Sequence, residues 1–319
     1  MPTGSRLSSR LRQLGQAGLV LVLRALGLLL RGVPWRAYPV VGWLLGRLWW
    51  YASPQRRRVT LENLRRAFPE WLPREHARVA RRCYTNAGIV LAEILSLAWL
   101  SETELAERIT FDNPELFAEC AARGRGMLLL SAHYGNWEWL ACAAGLAMRP
   151  LGVPVTVLVK RQSNPAADRW LNRYRTRWGN QVVELSQASW ALMRALRRGE
   201  ALALLADQRA APENAIWLPF FGVEVPVHAF PAAVALRFRM PVIVGFAQRQ
   251  PDGRYRVWLE ELSHGDLPES PEGVQELARR YLQRVEAHIR KCPELWLWQH
   301  RRWKYTRPSP HAAQLAEAE

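Results

Sequence analysis

The chain has 319 residues, of which 49% are hydrophobic, enough to form a sizeable core in one large domain or two small ones. Its 44 Lys and Arg residues outnumber its 28 Asp and Glu residues, so the formal charge is +16 and an anionic partner is expected. The four cysteines are scattered without paired spacing, which argues against a disulfide framework and a zinc motif and fits a reducing compartment.

The N-terminal region, residues 1–61, contains no acidic residue and no lysine. An apolar stretch over residues 15–33 carries Arg24 and Arg31, and a second, tryptophan-rich stretch ends at Pro54. Three interpretations stay open: a helix lying in the membrane interface, a full membrane span, and a buried helical hairpin. Arginine is costly inside a bilayer and tryptophan favours its interface, so we expect membrane association, with basic flanks on the cytoplasmic side. A cleaved signal peptide is not favoured, because no small-x-small cleavage site is visible.

The pattern changes after residue 124. Residues 59–100 are helical in pattern and broken at Pro69, and the helical residues 1–100 together are expected to form an appendage. Beyond Gly124, short apolar runs alternate with helical patterns, and strands are expected over 127–132, 153–159, 181–185, 201–206, 241–247 and, at an edge, 254–260. This alternation predicts an α/β fold with a mostly parallel sheet flanked by helices on both faces.

The expected domain organisation has three parts. Residues 1–55 form an N-terminal membrane helix and interfacial region. Residues 56–305 form the α/β domain, beginning with a helical lead-in over 56–110. Residues 306–319, which are rich in proline and alanine, form a flexible tail.

Polar side chains follow three of the predicted strands. His133 follows the first, Lys160 and Arg161 follow the second, and Asp207 and Gln208 follow the strand over 201–206. Because parallel strands present their carboxyl ends at one edge of a sheet, we expect these side chains to gather there. The cations would hold a phosphate or a developing oxyanion. Alternatively, Lys160 and Arg161 are surface side chains in contact with water, and Asp207 caps a turn or a helix.

His133 and Glu138 form a second candidate pair at this edge. Five residues apart, they would differ by about 140° around one continuous helix, so they can meet only if His133 lies on the lead-in to the helix. Gly135 permits such a tight entry. The carboxylate would then hold one ring nitrogen and leave the other as a general base. The alternative is a partly buried histidine beside an unrelated surface glutamate.

Several familiar motifs are missing from the sequence. There is no G-x-S-x-G elbow and no nucleophilic cysteine motif, so a covalent acyl-enzyme is not favoured. There is no H-E-x-x-H, Cys/His cluster or P-loop, so neither a metal nor another cofactor is indicated. A C-terminal block over residues 296–304 interleaves tryptophan with cations, and it is open whether this block binds phosphates, stacks on nucleic-acid bases, lies on a bilayer or packs inside the protein.

The segment from Ser131 to Glu138, Ser-Ala-His-Tyr-Gly-Asn-Trp-Glu, resembles the H-x4-D/E motif of glycerolipid-type acyltransferases. It is most similar to the lipid A biosynthesis branch, the lauroyl and myristoyl transferases, where Gly-Asn-Trp-Glu follows the histidine. Further blocks occur in the order of that family: Arg57-Arg58-Val-x-x-x-Asn63-Leu-x-x-x-Phe68-Pro69, Asn164-Pro165, Ala206-Asp207-Gln208, Phe220-Phe221-Gly222 and Trp298-Gln-His-Arg-Arg-Trp-Lys304. The resemblance therefore covers nearly the whole chain.

The resemblance implies an enzyme of the bacterial inner membrane that faces the cytoplasm. Such an enzyme moves a fatty acyl chain from acyl-carrier protein to a hydroxyl of a phosphorylated lipid A precursor of the Kdo2-lipid IVA type, without a cofactor. It implies His133 as the base and Glu138 as its partner. The residues implied or expected to bind substrate are Asn136, Lys160, Arg161, Asp207, Gln208, Arg301 and Arg302.

Two points stay open within this resemblance. Lys160 stands where the family usually has arginine, so either Lys160 or its neighbour Arg161 contacts the substrate. The acceptor is also open, because an acyltransferase acting on another glycolipid or a lysophospholipid would share this chemistry. A nucleic-acid-binding protein is a distant alternative suggested by the charge and the Trp/Arg block, and we expect no nucleic-acid partner.

Overall fold

The computed structural model describes residue 18 and residues 20–307. The expected basic start of the chain and residues 308–319 of the expected tail lie outside this range. The helices are α1 (20–31), α2 (Tyr38–Ala52), α3 (Pro54–Ala67), α4 (Pro73–Ser96), α5 (Glu102–Arg108), α6 (Glu115–Ala121), α7 (Trp137–Met148), α8 (Pro165–Thr176), α9 (Ala188–Arg198), α10 (Phe230–Phe238) and α11 (Pro271–Lys291). The strands are β1 (Ile109–Phe111), β2 (Met127–Ser131), β3 (Val155–Val159), β4 (Gln181–Glu184), β5 (Ala201–Leu205), β6 (Ala215–Phe220), β7 (Val223–His228), β8 (Val242–Gly245), β9 (Gln248–Arg249), β10 (Tyr255–Val257) and β11 (Leu259–Glu261).

The centre of the fold is a six-stranded sheet in the order β11-β8-β2-β5-β3-β4. All its neighbouring strands pair in parallel except β11, which runs antiparallel to β8. The five parallel strands lie within two residues of their predicted bounds. The predicted α/β class with a mostly parallel sheet is therefore confirmed.

Both faces of this sheet are buried, as its continuous apolar strands require. In β2, Leu128 and Leu130 belong to a core cluster shared with α10 and α11. Met127 and Leu129 point the other way, into a second cluster that includes α7. The alternation of side chains along a strand thus divides the apolar core into two layers, one on each side of the sheet.

The predicted edge strand over residues 254–260 is wrong as a single element. Its first half, β10, pairs with β1 and β9 in a small separate sheet, and its second half, β11, joins the central sheet. The chain turns at Trp258, whose side chain is exposed. The antiparallel hairpin of β6 and β7 has no counterpart among the predicted strands.

The N-terminal helices are integrated into the fold, so the expected appendage is also wrong. Leu64 of α3 and Val79 of α4 belong to the main core cluster. Helix α2 packs closely on α4 through glycines: a Cβ on Gly46 would lie 2.4 Å from the Tyr84 carbonyl oxygen. Only glycine permits so close an approach of two helix backbones.

The outer surface of α1 and α2 is strongly apolar. Nine large hydrophobic side chains on these two helices are each at least 47% exposed: Leu21, Val22, Leu28, Leu29, Val40, Trp43, Leu44, Leu48 and Tyr51. Over the described residues, no helix combines the length and the apolar character that a membrane crossing needs, so the transmembrane-helix prediction gains no support.

Candidate active site

His133 and Asp207 are brought together by the register of two neighbouring parallel strands. Ser131 at the end of β2 pairs with Leu205 at the end of β5, and each functional residue lies two positions further on. The His133 ring Nδ1 lies 2.8 Å from Asp207 Oδ1, and the His133 backbone N–H donates to Asp207 Oδ2 at 3.0 Å. The expected convergence of His133 and Asp207 at one edge of the sheet is therefore confirmed.

The turn after His133 is held in place by the backbone. Gly135 has a φ of +58°, and a Cβ at this position would lie 1.7 Å from the Ala247 carbonyl oxygen. Its N–H donates to the Leu295 carbonyl at 2.9 Å. Glycine is thus required here, and it sends the chain directly from β2 into α7.

The Asp207 carboxylate is buried and accepts three hydrogen bonds. Besides the two from His133, Trp296 Nε1 donates to Oδ2 at 2.8 Å. Burial alone would raise the pKa of Asp207, but the charge and hydrogen bonds of His133 and the bond from Trp296 together lower it below its usual value. Asp207 is consequently an ionised acceptor at neutral pH.

The protonation pattern of the His133 ring follows from this carboxylate. An ionised carboxylate can only accept, so Nδ1 carries the proton that is donated to Asp207. In the neutral ring, Nε2 is then left as an acceptor, and the Gln208 amide nitrogen lies 3.2 Å from it. The side chain is 20% exposed. His133 thus has an oriented, reachable basic nitrogen, as general-base catalysis requires.

The predicted contact between His133 and Glu138 is wrong. Glu138, in the first turn of α7, is buried and forms a bidentate pair with Arg175 of α8: Nε donates to Oε2 at 2.8 Å and Nη2 to Oε1 at 2.5 Å. Arg175 is itself buried and also donates to Asn172 Oδ1 at 2.8 Å. A buried carboxylate must be paired, and here the guanidinium of another helix supplies that pairing.

The Asn136 side chain is buried and bonds to other residues of the protein. Its Oδ1 accepts from the Trp139 N–H at 2.9 Å and caps helix α7. Its Nδ2 donates to Glu93 Oε2 of α4 at 2.9 Å, an oxygen that also accepts from Tyr255 and Arg249. Burial raises the pKa of Glu93, and its hydrogen bonds and the charge of Arg249 oppose that rise. Asn136 is fully buried and bonded within the protein, so its side chain is not placed for the predicted contact with substrate.

The C-terminal Trp/Arg block packs inside the protein beside His133. Leu297 N–H donates to the His133 carbonyl at 2.9 Å, and Asn63 of α3 donates to the Trp298 and His300 carbonyls at 2.8 Å each. Trp296, Trp298 and Trp303 are all buried. Their rings therefore cannot stack on bases or lie on a bilayer, and the packing alternative for this block is the correct one.

Arg302 was predicted to bind substrate, but its side chain is fully buried and a substrate cannot reach it. Its Nη1 donates to the Pro226 carbonyl at 3.0 Å, and its guanidinium lies 5.3 Å from the Phe220 ring. Burial lowers its pKa to about 10, and the negative charge of Asp207 opposes this shift. Arg302 therefore remains a buried cation near Asp207. Arg301, by contrast, is exposed.

The remaining predicted cations lie at the same edge of the sheet but outside the hydrogen-bonded cluster. Lys160 and Arg161 follow β3, the strand next to β5, and both are exposed. Arg161 Nε lies 4.0 Å from Glu184 Oε1, a weak surface pair. Across the described part of the chain, no group of three or more His, Cys, Asp and Glu side chains is placed to hold a metal ion.

Two side chains that support the site were not identified from the sequence. Trp296 binds Asp207 from 89 residues away, and Tyr281 OH donates to the Ser131 carbonyl at 2.7 Å from 150 residues away. Arg175 is one of several arginines on its helix. No local pattern distinguishes these residues, because their partners are set by the tertiary fold.

His300 gives the protein a predicted pH dependence of stability. Burial lowers its pKa to about 4; Asp207 opposes the shift and neighbouring cations add to it. Between pH 4 and 6.5 the unfolded state then binds more protons than the folded state, so stability rises with pH across that window. We expect a loss of about 1–2 kcal/mol on going from pH 7 to 4.5, after allowance for partial exposure.

Urea unfolding at a series of pH values measures this effect. His228 and His288, whose pKa values are also lowered by burial, act in the same direction. In His300→Gln the slope between pH 4.5 and 6.5 should be smaller than in the wild type, and an identical slope would contradict the assignment.

The model of the family described as bacterial lipid A biosynthesis acyltransferase matches residues 6–305. The chain is similar to a lipid A biosynthesis lauroyltransferase of Escherichia coli (strain K12), with 26% identity over 85% of this chain and 87% of the relative. A lipid A biosynthesis acyltransferase of Haemophilus influenzae is 23% identical over 85% and 83%, and a lipid A biosynthesis palmitoleoyltransferase of E. coli is 22% identical over 85% and 87%.

The matched residues include the His133 turn, Asp207 with the strand before it, and the whole C-terminal block. The family is that of the resemblance found in the sequence, and its members are enzymes that transfer acyl groups to a lipid acceptor. The chain therefore belongs to the bacterial lipid A biosynthesis acyltransferase family and is an acyltransferase.

Proposed function

We propose that this enzyme transfers a fatty acyl chain from acyl-carrier protein to a hydroxyl of a phosphorylated, Kdo-bearing lipid A precursor, with His133 as the general base. The observation that carries this proposal is the Asp207–His133 pair, which leaves Nε2 of the ring as a proton acceptor. The His133 side chain is partly exposed, so a substrate hydroxyl can replace the Gln208 amide as the donor to Nε2.

The reaction then needs no covalent acyl-enzyme. The acceptor hydroxyl gives its proton to Nε2 as its oxygen attacks the thioester carbonyl carbon. The new C–O bond forms, the carbonyl electrons move onto oxygen, and a tetrahedral intermediate results. When the C–S bond breaks, the imidazolium returns the proton to the leaving thiolate. Asp207 stabilises the imidazolium between these two proton transfers.

Other residues take supporting roles in this proposal. Lys160 and Arg161, exposed at the same edge of the sheet, bind the phosphate groups of the acceptor, and Arg301 is a further exposed cation nearby. The Glu138–Arg175 pair fixes the first turn of α7, immediately after the His133 loop. Glu138 is thus a positioning residue in this scheme, in place of the direct partner of His133 that the sequence motif suggested.

The proposed location is the cytoplasmic face of the bacterial inner membrane. The exposed apolar face of α1 and α2 would lie in the interface, where apolar side chains and Trp43 are favoured. Arg47 lies 4.9 Å from the Trp43 ring and can reach lipid phosphates. The charge of +16 favours both anionic lipid and an acidic carrier protein.

A substrate comparison with purified enzyme tests this function. Acyl-carrier protein and coenzyme A thioesters of the same chain are each offered with Kdo2-lipid IVA, with the same lipid lacking Kdo, and with lysophosphatidate. We expect acyl-carrier protein and Kdo2-lipid IVA to give the highest kcat/KM, detected as one added acyl chain by mass spectrometry. A higher kcat/KM with lysophosphatidate would reject the proposed acceptor, and a preference for coenzyme A would reject the donor.

A further inference from the structure

A groove separate from the His133 edge lies between three helices. It is lined by Leu23, Arg24 and Leu28 of α1, by the end of α4, and by the C-terminal half of α8. Its volume is about 690 Å³. Sites for small molecules and cofactors commonly fall between about 300 and 1,000 Å³, so the groove has the size of a ligand site.

The charge of the groove has one sign. Arg24, Arg173 and Arg177 line it, and no carboxylate does. Within the part of the chain that the structure describes, no carboxylate lies within 4.0 Å of Arg24 or Arg173, and both side chains are exposed. Arg177 also lines the groove, but it donates to the Leu97 carbonyl at 3.1 Å. Guanidinium groups that line one groove are suited to binding a phosphate.

Two acidic side chains near the groove have other partners. Glu102 lies close enough to Arg177 to have its pKa lowered by it, but its main partner is Arg149, whose guanidinium donates at 2.9 and 2.5 Å. Asp168 of α8 accepts from the Gln162 N–H at 2.9 Å and from Asn172 at 3.2 Å. Neither carboxylate therefore forms an ion pair with Arg24 or Arg173.

Aromatic and apolar side chains form the rest of the groove. The rings of Trp170 and Tyr174 meet edge to face with centroids 5.0 Å apart, and Trp99 lies opposite on the segment after α4. The Trp170 and Tyr174 rings therefore give the groove an aromatic wall beside its arginines.

One residue connects the groove to the apolar outer surface. Leu28 lines the groove and is 70% exposed, as part of the face that α1 and α2 present. A ligand held by the arginines can therefore extend an apolar chain over Leu28 and onto this face. A free phosphate would use only the cationic part, and a nucleic acid would gain nothing from the leucines.

We propose that this groove binds one anionic phospholipid of the bilayer, with the headgroup phosphate on Arg24 and Arg173 and an acyl chain along Leu23 and Leu28. The lipid would join α1 to α8, the helix that also carries Arg175. This binding site is separate from the acyl acceptor and does not depend on the proposed acyl transfer.

Calorimetric titration with monomeric dihexanoyl phosphatidylglycerol tests the site in the full-length protein. We expect saturable binding of one lipid per chain. Arg24→Gln/Arg173→Gln should weaken it about 25-fold, at roughly fivefold for each arginine next to an anionic headgroup. The matched control is Arg74→Gln/Arg78→Gln, which removes two exposed arginines from the other end of α4, roughly 25 Å from the groove, and should change the affinity less than twofold.

A second test keeps the arginines and places a carboxylate of the protein beside them, where it competes with the lipid phosphate. Ala98, exposed at the groove, is replaced by Glu in one protein and by Gln in another. We expect Ala98→Glu to lose binding at least tenfold relative to Ala98→Gln. Equal affinity in these two variants, or equal losses in the two arginine pairs, would overturn the proposal.

Two further arms identify the source of the phosphate. Glycerol phosphate should bind at least tenfold more weakly than the lipid, and equal affinity would show an anion site without a lipid. The KM for the acyl acceptor should change less than threefold in Arg24→Gln/Arg173→Gln. A tenfold rise in KM would assign the groove to the acceptor and overturn the assignment to a bilayer lipid.

Discussion

Replacing His133 by alanine is expected to lower the rate of acyl transfer by a factor of about 10² to 10⁴, the range for loss of a general base. The imidazole is the only described side chain at this edge that has an oriented basic nitrogen: Nδ1 donates to Asp207 at 2.8 Å and Nε2 remains an acceptor. Without it, the acceptor hydroxyl must lose its proton to water, and the departing thiolate has no positioned acid.

The measurement is kcat with acyl-carrier protein thioester and lipid acceptor at saturating concentrations. KM should change little, because the loss falls on the chemical step. His264→Asn serves as the control, since His264 is buried in the segment between β11 and α11, where its Nδ1 lies 3.2 Å from the Leu262 carbonyl oxygen. A His133→Ala enzyme with near wild-type kcat would exclude His133 as the base.

Removing the Glu138 carboxylate is expected to have the largest effect on stability. In Glu138→Ala, the guanidinium of Arg175 would stay buried without its counter-charge, which typically costs about 3–5 kcal/mol. The double variant Glu138→Leu/Arg175→Met removes both charges and should recover more than half of that loss, because an apolar pair of similar volume is tolerated in a core.

Urea unfolding of Glu138→Ala, of the single variants Glu138→Leu and Arg175→Met, and of the double variant measures this coupling. Glu102→Ala is the matched control, because the Glu102–Arg149 pair has similar distances but both side chains are about half exposed. Its loss should stay below about 1 kcal/mol. If Glu138→Ala were as stable as the wild type, the pair would not hold helix α7 in place.

The parallel sheet could be predicted from the sequence because its strands are buried on both faces. Strands such as β2 and β5 are therefore continuous apolar runs, bounded by glycine and polar residues. The gathering of His133 and Asp207 at one edge followed from the same argument. The β6–β7 hairpin was harder to identify, since Pro219 and Pro226 interrupt its strands. Its turn, Phe221-Gly222, has positive φ at both positions, which is typical of a tight two-residue hairpin.

The pairing of Glu138 could not be predicted from its spacing to His133. The spacing fixes only where the residue lies on α7, and the direction of its carboxylate is set by Arg175, which is 37 residues further along the chain. The burial of Arg302 could not be predicted from the sequence for a similar reason. A run of arginines and tryptophans has the same composition on a membrane surface as in a core, and only the contacts of the Trp rings with Phe220 distinguish the two.

The acyl-transfer rates of Asp207→Asn and Glu138→Leu/Arg175→Met, measured side by side per folded enzyme, test most directly whether Asp207 is the partner of His133. Asparagine at position 207 would offer an N–H to the ring and favour the wrong tautomer, so we expect kcat to fall by about 10³ to 10⁴. The double variant should retain kcat within about tenfold of the wild type, since it leaves the Asp207–His133 bond intact. The reverse order, with Asp207→Asn active and the double variant inactive, would return the role of partner to Glu138.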